Sequence, residues 1–214
     1  MSSYTYYQIT QAIVEAAKKT NIEYSAEDED GRLDSAIKEK PYLKMLIKEL
    51  PSDFKCDVPK VRYWYDIRIN GIPINLKLTT GKADNAFNKK AVETVLTCGE
   101  LTTTQNSNFN QFYATLKKCA KNGRNLESEY HYLVINKKTG QILFKPILDI
   151  HTYTTNPSNI IQINWKNEFN NITYKCPDFK AKIRELLKAI QTSLRQWEER
   201  SRDFRNADID ADFA

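Results

Sequence analysis

Asp66, Asn75 and Lys77 stand in the segment YWYDIRINGIPINLKLT, residues 63–79, at spacings that a β-hairpin gathers onto one face. Its centre, Asn70-Gly71, is the dipeptide best suited to a two-residue type I′ turn, because both residues tolerate φ > 0. With such a turn Ile69 pairs with Ile72, Ile67 with Ile74 and Tyr65 with Leu76, giving an apolar face. The other face then carries Arg68 opposite Pro73, Asp66 opposite Asn75 and Trp64 opposite Lys77. Directly opposed side chains have Cβ atoms about 4.5–5.5 Å apart, so Asp66, Asn75 and Lys77 are expected to cluster. Two oxygen donors able to hold a divalent cation, beside an ammonium able to polarise a water, form an arrangement suited to phosphodiester cleavage. The same residues also read as a solvated polar face with a plain Asp–Lys pair. Pro73 limits pairing on its outer side, since proline removes a ladder donor.

The elements that must position this hairpin follow from periodicity. Residues 4–19 read as a helix with Ile9, Ala12, Ile13 and Ala16 on one stripe. After an acidic loop, residues 33–50 form a second helix with Leu43, Leu46 and Leu50 on its apolar stripe and Pro41 marking a start or a kink. Glu39 falls on that stripe if the helix runs through Pro41. An inward carboxylate costs free energy unless it is paired or binds a cation, so Glu39 is a candidate metal ligand; it reads equally as a helix-start glutamate near the N-terminal dipole. Residues after the hairpin read as a loop and then a helix, with Asp84 or Asn85 as N-cap. A further helix is expected over 109–121, and YHYLVINKKTGQILFK as a second hairpin turning at Lys137 to Gly140. The stretch 149–159 reads as a polar loop, IIQINW as a short strand, and about 177–204 as the longest helix, with an apolar face from Phe179 to Trp197.

The 214 residues, with 41% hydrophobic content and no evident repeat or linker, favour one α/β domain: a central mixed sheet flanked by helices. The net charge of +5 is compatible with a nucleic-acid partner without requiring one. Cys56, Cys98, Cys119 and Cys176 lack metal-ligand spacing, and His131 and His151 do not pair at helical spacing, so no zinc site is expected. The start lacks the pattern of a secretory signal, and no run approaches the roughly 20 apolar residues of a membrane span. The expectation is a cytoplasmic protein with reduced thiols and no membrane partner.

PINLKLTTGKADNAFNKKAV resembles the second catalytic strand and following helix of type II restriction endonucleases of the PD-(D/E)xK class, in the EcoRV-like branch. Asp66 in WYDIRI matches the first aspartate of that motif, and Lys77 matches its lysine. The order of parts is also similar: an acidic residue on an N-terminal helix, the catalytic hairpin, then a strand pair followed by a polar loop. The resemblance implies a restriction-endonuclease-like core and Mg²⁺-dependent hydrolysis of duplex DNA by a homodimer at a short, palindromic site. It makes Glu39 the N-terminal carboxylate and likens Thr154, Thr155 and Asn156 to a loop that reads bases in the major groove.

The sequence departs from the motif at Asn75, where the family has Asp or Glu. An amide oxygen ligates Mg²⁺ without charge, whereas magnesium sites lean on one or two carboxylates. Three readings remain open: Glu39 supplies the second charge, the amide is a change that blocks cleavage, or the protein binds DNA without cutting it. In the active reading Asp66, Asn75 and Glu39 hold Mg²⁺ and Lys77 orients a water or stabilises developing charge. Arg62, Lys60 and basic positions near 180–195 are expected to contact phosphates. The alternatives are a non-catalytic nucleic-acid-binding module, with Asp66 and Lys77 as an ordinary ion pair, and a structure-selective repair or recombination nuclease with the same core.

Overall fold

One parallel pairing inside an otherwise antiparallel sheet organises this chain. The computed structural model describes residues 4–20, 31–59, 63–80, 83–87, 108–119, 123–156 and 160–206. Helices α1 (Tyr6–Lys19) and α2 (Gly31–Glu49) precede the short strand β1 (Cys56–Asp57) and the hairpin β2 (Ile67–Ile69) and β3 (Ile72–Thr79). Strand β4 (Ala83–Phe87) and helix α3 (Phe109–Cys119) lead to a second hairpin, β5 (His131–Asn136) and β6 (Ile142–Pro146). A 3-10 turn (Ile147–Asp149), strands β7 (Tyr153–Asn156) and β8 (Ile160–Asn164), and helices α4 (Trp165–Asn170), α5 (Phe179–Arg200) and α6 (Arg202–Asn206) complete the order.

The main sheet runs β1-β2-β3-β5-β6, antiparallel except where β3 lies parallel to β5. Parallel neighbours need a long crossover, and the chain between β3 and β5 contains β4 and α3. Every residue of β5 is buried, as expected of a central strand covered on both faces. One face of the sheet presents Ile67, Ile69, Ile72, Ile74, Leu76 and Leu78 to Ile9 and Ile13 of α1 and Leu43 and Leu46 of α2. The other face joins Tyr130, Tyr132 and Val134 to Phe112 and Leu116 of α3, Trp165 of α4 and Ile183, Leu186 and Ile190 of α5. Pro41 is accommodated inside α2, so Glu39 lies on a continuous helix.

The first hairpin has the turn its sequence demands. Asn70 and Gly71 take φ of 47° and 95°, and Ile67, Arg68 and Ile69 face Ile74, Pro73 and Ile72. Asn70 also fastens the turn to the preceding loop: its N–H donates to the Lys55 carbonyl at 2.9 Å and its Oδ1 accepts the Lys55 N–H at 2.8 Å.

Several sequence expectations need correction. The ladder does not continue to a Tyr65–Leu76 pair, because Asp66 donates its N–H to the Ile74 carbonyl and breaks the alternation. Tyr65 therefore joins the cluster of the opposite face, beside Trp64 and Tyr130, rather than the Ile67 face. Asp84 and Asn85 are not helix caps; they lie in β4, paired with Ile163 and Gln162 of β8. The helix expected after them lies outside the described residues. The expected polar loop 149–159 contains strand β7, and a second sheet of order β4-β8-β7 forms.

Buried polar groups between β6 and the short helix α4 are closely matched. Lys145 and Glu168, at 1% and 0% exposure, form an ion pair at 3.0 Å. Glu168 also accepts from the backbone of His151 and Thr152 and from the Thr152 hydroxyl at 2.8, 2.5 and 2.7 Å. Such saturation is what keeps a buried pair from being a net cost. Arg124 bridges Glu129 and Asp149 at 2.7 and 2.9 Å and closes a second network.

Candidate active site

β3 alternates, so the residues left on the α3 side of the sheet are Pro73, Asn75 and Lys77, opposite Tyr132 and Val134 of β5 at the latter two positions. Asp66 reaches this group by leaving the ladder. Its Oδ2 accepts the Leu76 N–H at 2.8 Å, the donor that the Tyr65 carbonyl would take in a continued hairpin. The carboxylate thus substitutes for strand backbone at Leu76 and feels the charge of the neighbouring Lys77. One oxygen is committed to that bond; the other has no hydrogen bond among the described residues.

The electrostatics are those of a buried acid beside a cation. Burial raises the Asp66 carboxyl above its ordinary range, while the Leu76 N–H and the Lys77 ammonium draw it back. Lys77 is half-buried and makes no hydrogen bond or close ion pair with the described residues. The Asn75 Oδ1 is buried without a hydrogen-bond partner. An orphaned buried acceptor costs roughly 1–3 kcal/mol, so an amide oxygen left open here needs a reason. Tyr130, which the sequence reading did not single out, lies fully buried against the Asn75 amide; burial and then the Asp66 charge raise its phenol well above the ordinary range. Its only sequence signal is the alternation of Tyr130 and Tyr132 into β5.

The other expected site residues are dispersed. Glu39 is half-buried on α2, the helix that packs on the opposite face of β3 from Asn75 and Lys77. Lys60 and Arg62 lie outside the described residues. Thr154, Thr155 and Asn156 form the end of β7, paired with Gln162, Ile161 and Ile160. Thr154 is exposed, and the Asn156 N–H donates to Ser193 Oγ of α5 at 3.1 Å. The same hydroxyl donates to the carbonyl of Ile160, whose φ of 69° is rare for a β-branched residue. Ser193 therefore ties both strand ends of this second hairpin to α5.

No group of three or more His, Cys, Asp or Glu side chains able to hold a metal occurs among the described residues. A cation at Asp66 would have one carboxylate and one amide oxygen from the hairpin. These are hard oxygen donors suited to magnesium, which keeps several waters and needs few protein ligands. No helix among the described residues is long and apolar enough to cross a membrane. Comparisons with protein-family models, with curated proteins and with solved structures find no match to this chain.

Proposed function

We propose that the chain is a divalent-cation-dependent hydrolase of phosphodiester bonds in duplex DNA, acting at the Asp66–Asn75–Lys77 face. The observation that carries this reading is the combination of open groups at one point: a carboxylate oxygen, a buried amide oxygen and an ammonium, none satisfied among the described residues. A purely structural Asp–Lys pair would close on itself. The order of α2, the β2–β3 hairpin and the β5–β6 hairpin matches the parts the resemblance draws on, while strand β4 and strand β7 stand where it expects a helix and a loop.

The free oxygen of Asp66 and the Asn75 Oδ1 would hold Mg²⁺; Glu39, on the helix against the opposite face of β3, lies across the sheet from them and is not a ligand in this reading. When bound, such an ion supplies Lewis-acid polarisation of a phosphate and a more acidic water. Asp66 is preorganised for that role by the Leu76 N–H, which fixes one oxygen and leaves the other without a hydrogen bond among the described residues. Lys77 orients a water and stabilises the extra negative charge that gathers on the phosphorus oxygens during attack. Tyr130 packs under Asn75 and holds the amide in place. The end of β7, Thr154 to Asn156, reads bases in the major groove: threonine methyls suit thymine, and an asparagine amide can bond adenine bidentately. A two-fold dimer would present two such faces to the two strands.

A digest of a long natural DNA tests the reading. Purified protein with Mg²⁺ is expected to give discrete bands, and none with EDTA. A smear would point instead to a structure-selective nuclease. Tight DNA binding with no cutting in Mg²⁺ or Mn²⁺ would overturn the hydrolase and leave a binding module.

A further inference from the structure

We propose that Arg68 is a phosphate-binding residue that seats the DNA backbone next to the Asp66–Asn75–Lys77 face; this rests on the reading of the hairpin as a DNA-contacting site. Arg68 lies opposite Pro73 in the hairpin, on the same side of it as Asn75 and Lys77. On its other flank it lies opposite Asp57 of β1. An Arg directly across from an Asp would ordinarily form an ion pair. Here Asp57 instead accepts a 2.5 Å hydrogen bond from the Tyr65 hydroxyl, and Arg68 makes no ion pair among the described residues.

The guanidinium is held by rings. It lies 4.7 Å from the Tyr65 centroid and 5.7 Å from that of Trp64. Those rings are themselves fixed, edge to face, at 4.7 Å. Stacking on aromatic faces orients a guanidinium without consuming its in-plane N–H donors. Its Nε is buried with no hydrogen-bond partner. A half-buried cation fixed by packing alone, with its donor fork unspent, is matched by an anion with planar pairs of oxygens. Phosphate is the anion that Arg recognises bidentately and that the neighbouring residues are proposed to cleave. Two residues along a strand span about 7 Å, so Arg68 addresses a phosphate beside the one facing Asp66 rather than the reacting one. It is a positioning residue.

The test is binding without cleavage. Anisotropy of a labelled duplex in EDTA is followed between about 50 and 200 mM salt for the wild type and for R68Q and R68K. Loss of one phosphate contact lowers the slope of log affinity against log salt by about 0.9 and weakens binding roughly tenfold near 0.1 M salt. R68Q is expected to show both changes. R68K should keep the slope and lose several-fold in affinity, because it keeps charge but not the fork. An unchanged slope and affinity in a folded R68Q overturns the proposal, as does a wild type with no salt-dependent DNA binding. If R68Q does not fold, R68K decides: weaker binding at an unchanged melting temperature supports the proposal, and wild-type affinity overturns it. A reduced slope in a protein that never cuts DNA would leave Arg68 standing and sink the hydrolase; an unchanged slope in a protein that cuts would do the reverse.

Discussion

Asn75→Asp puts a second carboxylate beside one that is already uncomfortable. The Asn75 Oδ1 is buried without a partner, and the Asp66 carboxyl is raised by burial. Asp66 and Asn75 both act on Tyr130, and a separation of about 5 Å, that of a cross-strand contact, sets the scale. Two negative charges at that distance repel by about 3 kcal/mol at an effective dielectric near 20. Both residues are partly exposed, and solvent screening reduces the net cost to about 1–2 kcal/mol. For a chain of this size that lowers the melting temperature by about 2–8 °C in EDTA. A divalent cation reverses the sign, since a ligand present at a hundredfold excess over its Kd stabilises by about 2.7 kcal/mol. Melting curves of wild type and variant in EDTA and across a Mg²⁺ titration read this directly. The variant should be the less stable protein without the cation and should gain more from it than the wild type. At limiting Mg²⁺ it should also cut DNA about tenfold faster, because a charged ligand is about twice as strong as a neutral one. A variant as stable as wild type in EDTA, with no larger response to Mg²⁺, would mean that position 75 faces neither Asp66 nor the cation.

Two further predictions concern pH. Because burial raises the Asp66 carboxyl, its ionised form is held at a cost above its folded pKa, and that cost disappears below its unfolded value. Asp66→Asn, whose amide oxygen can still accept the Leu76 N–H, should therefore be more stable than wild type at neutral pH, with the gain fading as pH falls toward about 4; a variant less stable at neutral pH would show that the carboxylate is a net stabilising cap. His131 is fully buried, donates from Nδ1 to the Glu129 carbonyl and accepts the Tyr6 hydroxyl at Nε2, and is pushed down to about 3 by burial. Its neutral form contributes stability that is lost as pH falls from about 6.5 through that value, so His131→Gln should flatten denaturation midpoints over this window; an unchanged acid slope would place the titrating group elsewhere.

How far the sequence could be read depended on whether local chemistry and burial agreed. Asn70-Gly71 required positive φ at two successive positions, and the flanking isoleucines alternated, so the hairpin and its register were legible. The exit of Asp66 from the ladder was not, because it depends on a side chain replacing a backbone acceptor for Leu76. That one substitution moved Tyr65 to the opposite face. β7 was hidden because a polar Thr-rich edge strand has the composition of a loop, and β4 because Asp84 and Asn85 are more often caps than strand residues. The partner that makes Lys145 tolerable inside the fold, Glu168, lies 23 residues away, and no periodicity announces it. Strand alternation placed Asn75 and Lys77 on one face of β3, whereas the route by which Asp66 reaches them, Tyr130 against Asn75 and the ring-held Arg68 needed the three-dimensional structure.

One substitution measured three ways tests cation-dependent cleavage at this face most directly. Lys77 is half-buried beside Asp66 with no close ion-pair partner among the described residues, so a structural role gives it little to do. Wild type and Lys77→Ala are compared for cleavage of the same DNA in Mg²⁺, for affinity to the same DNA in EDTA, and for their melting temperatures. Wild type is expected to cut and the variant not, with affinity within a few-fold and the fold unchanged. A wild type that binds but never cuts, or a variant that cuts at the wild-type rate or loses activity only because it melts early, would contradict it.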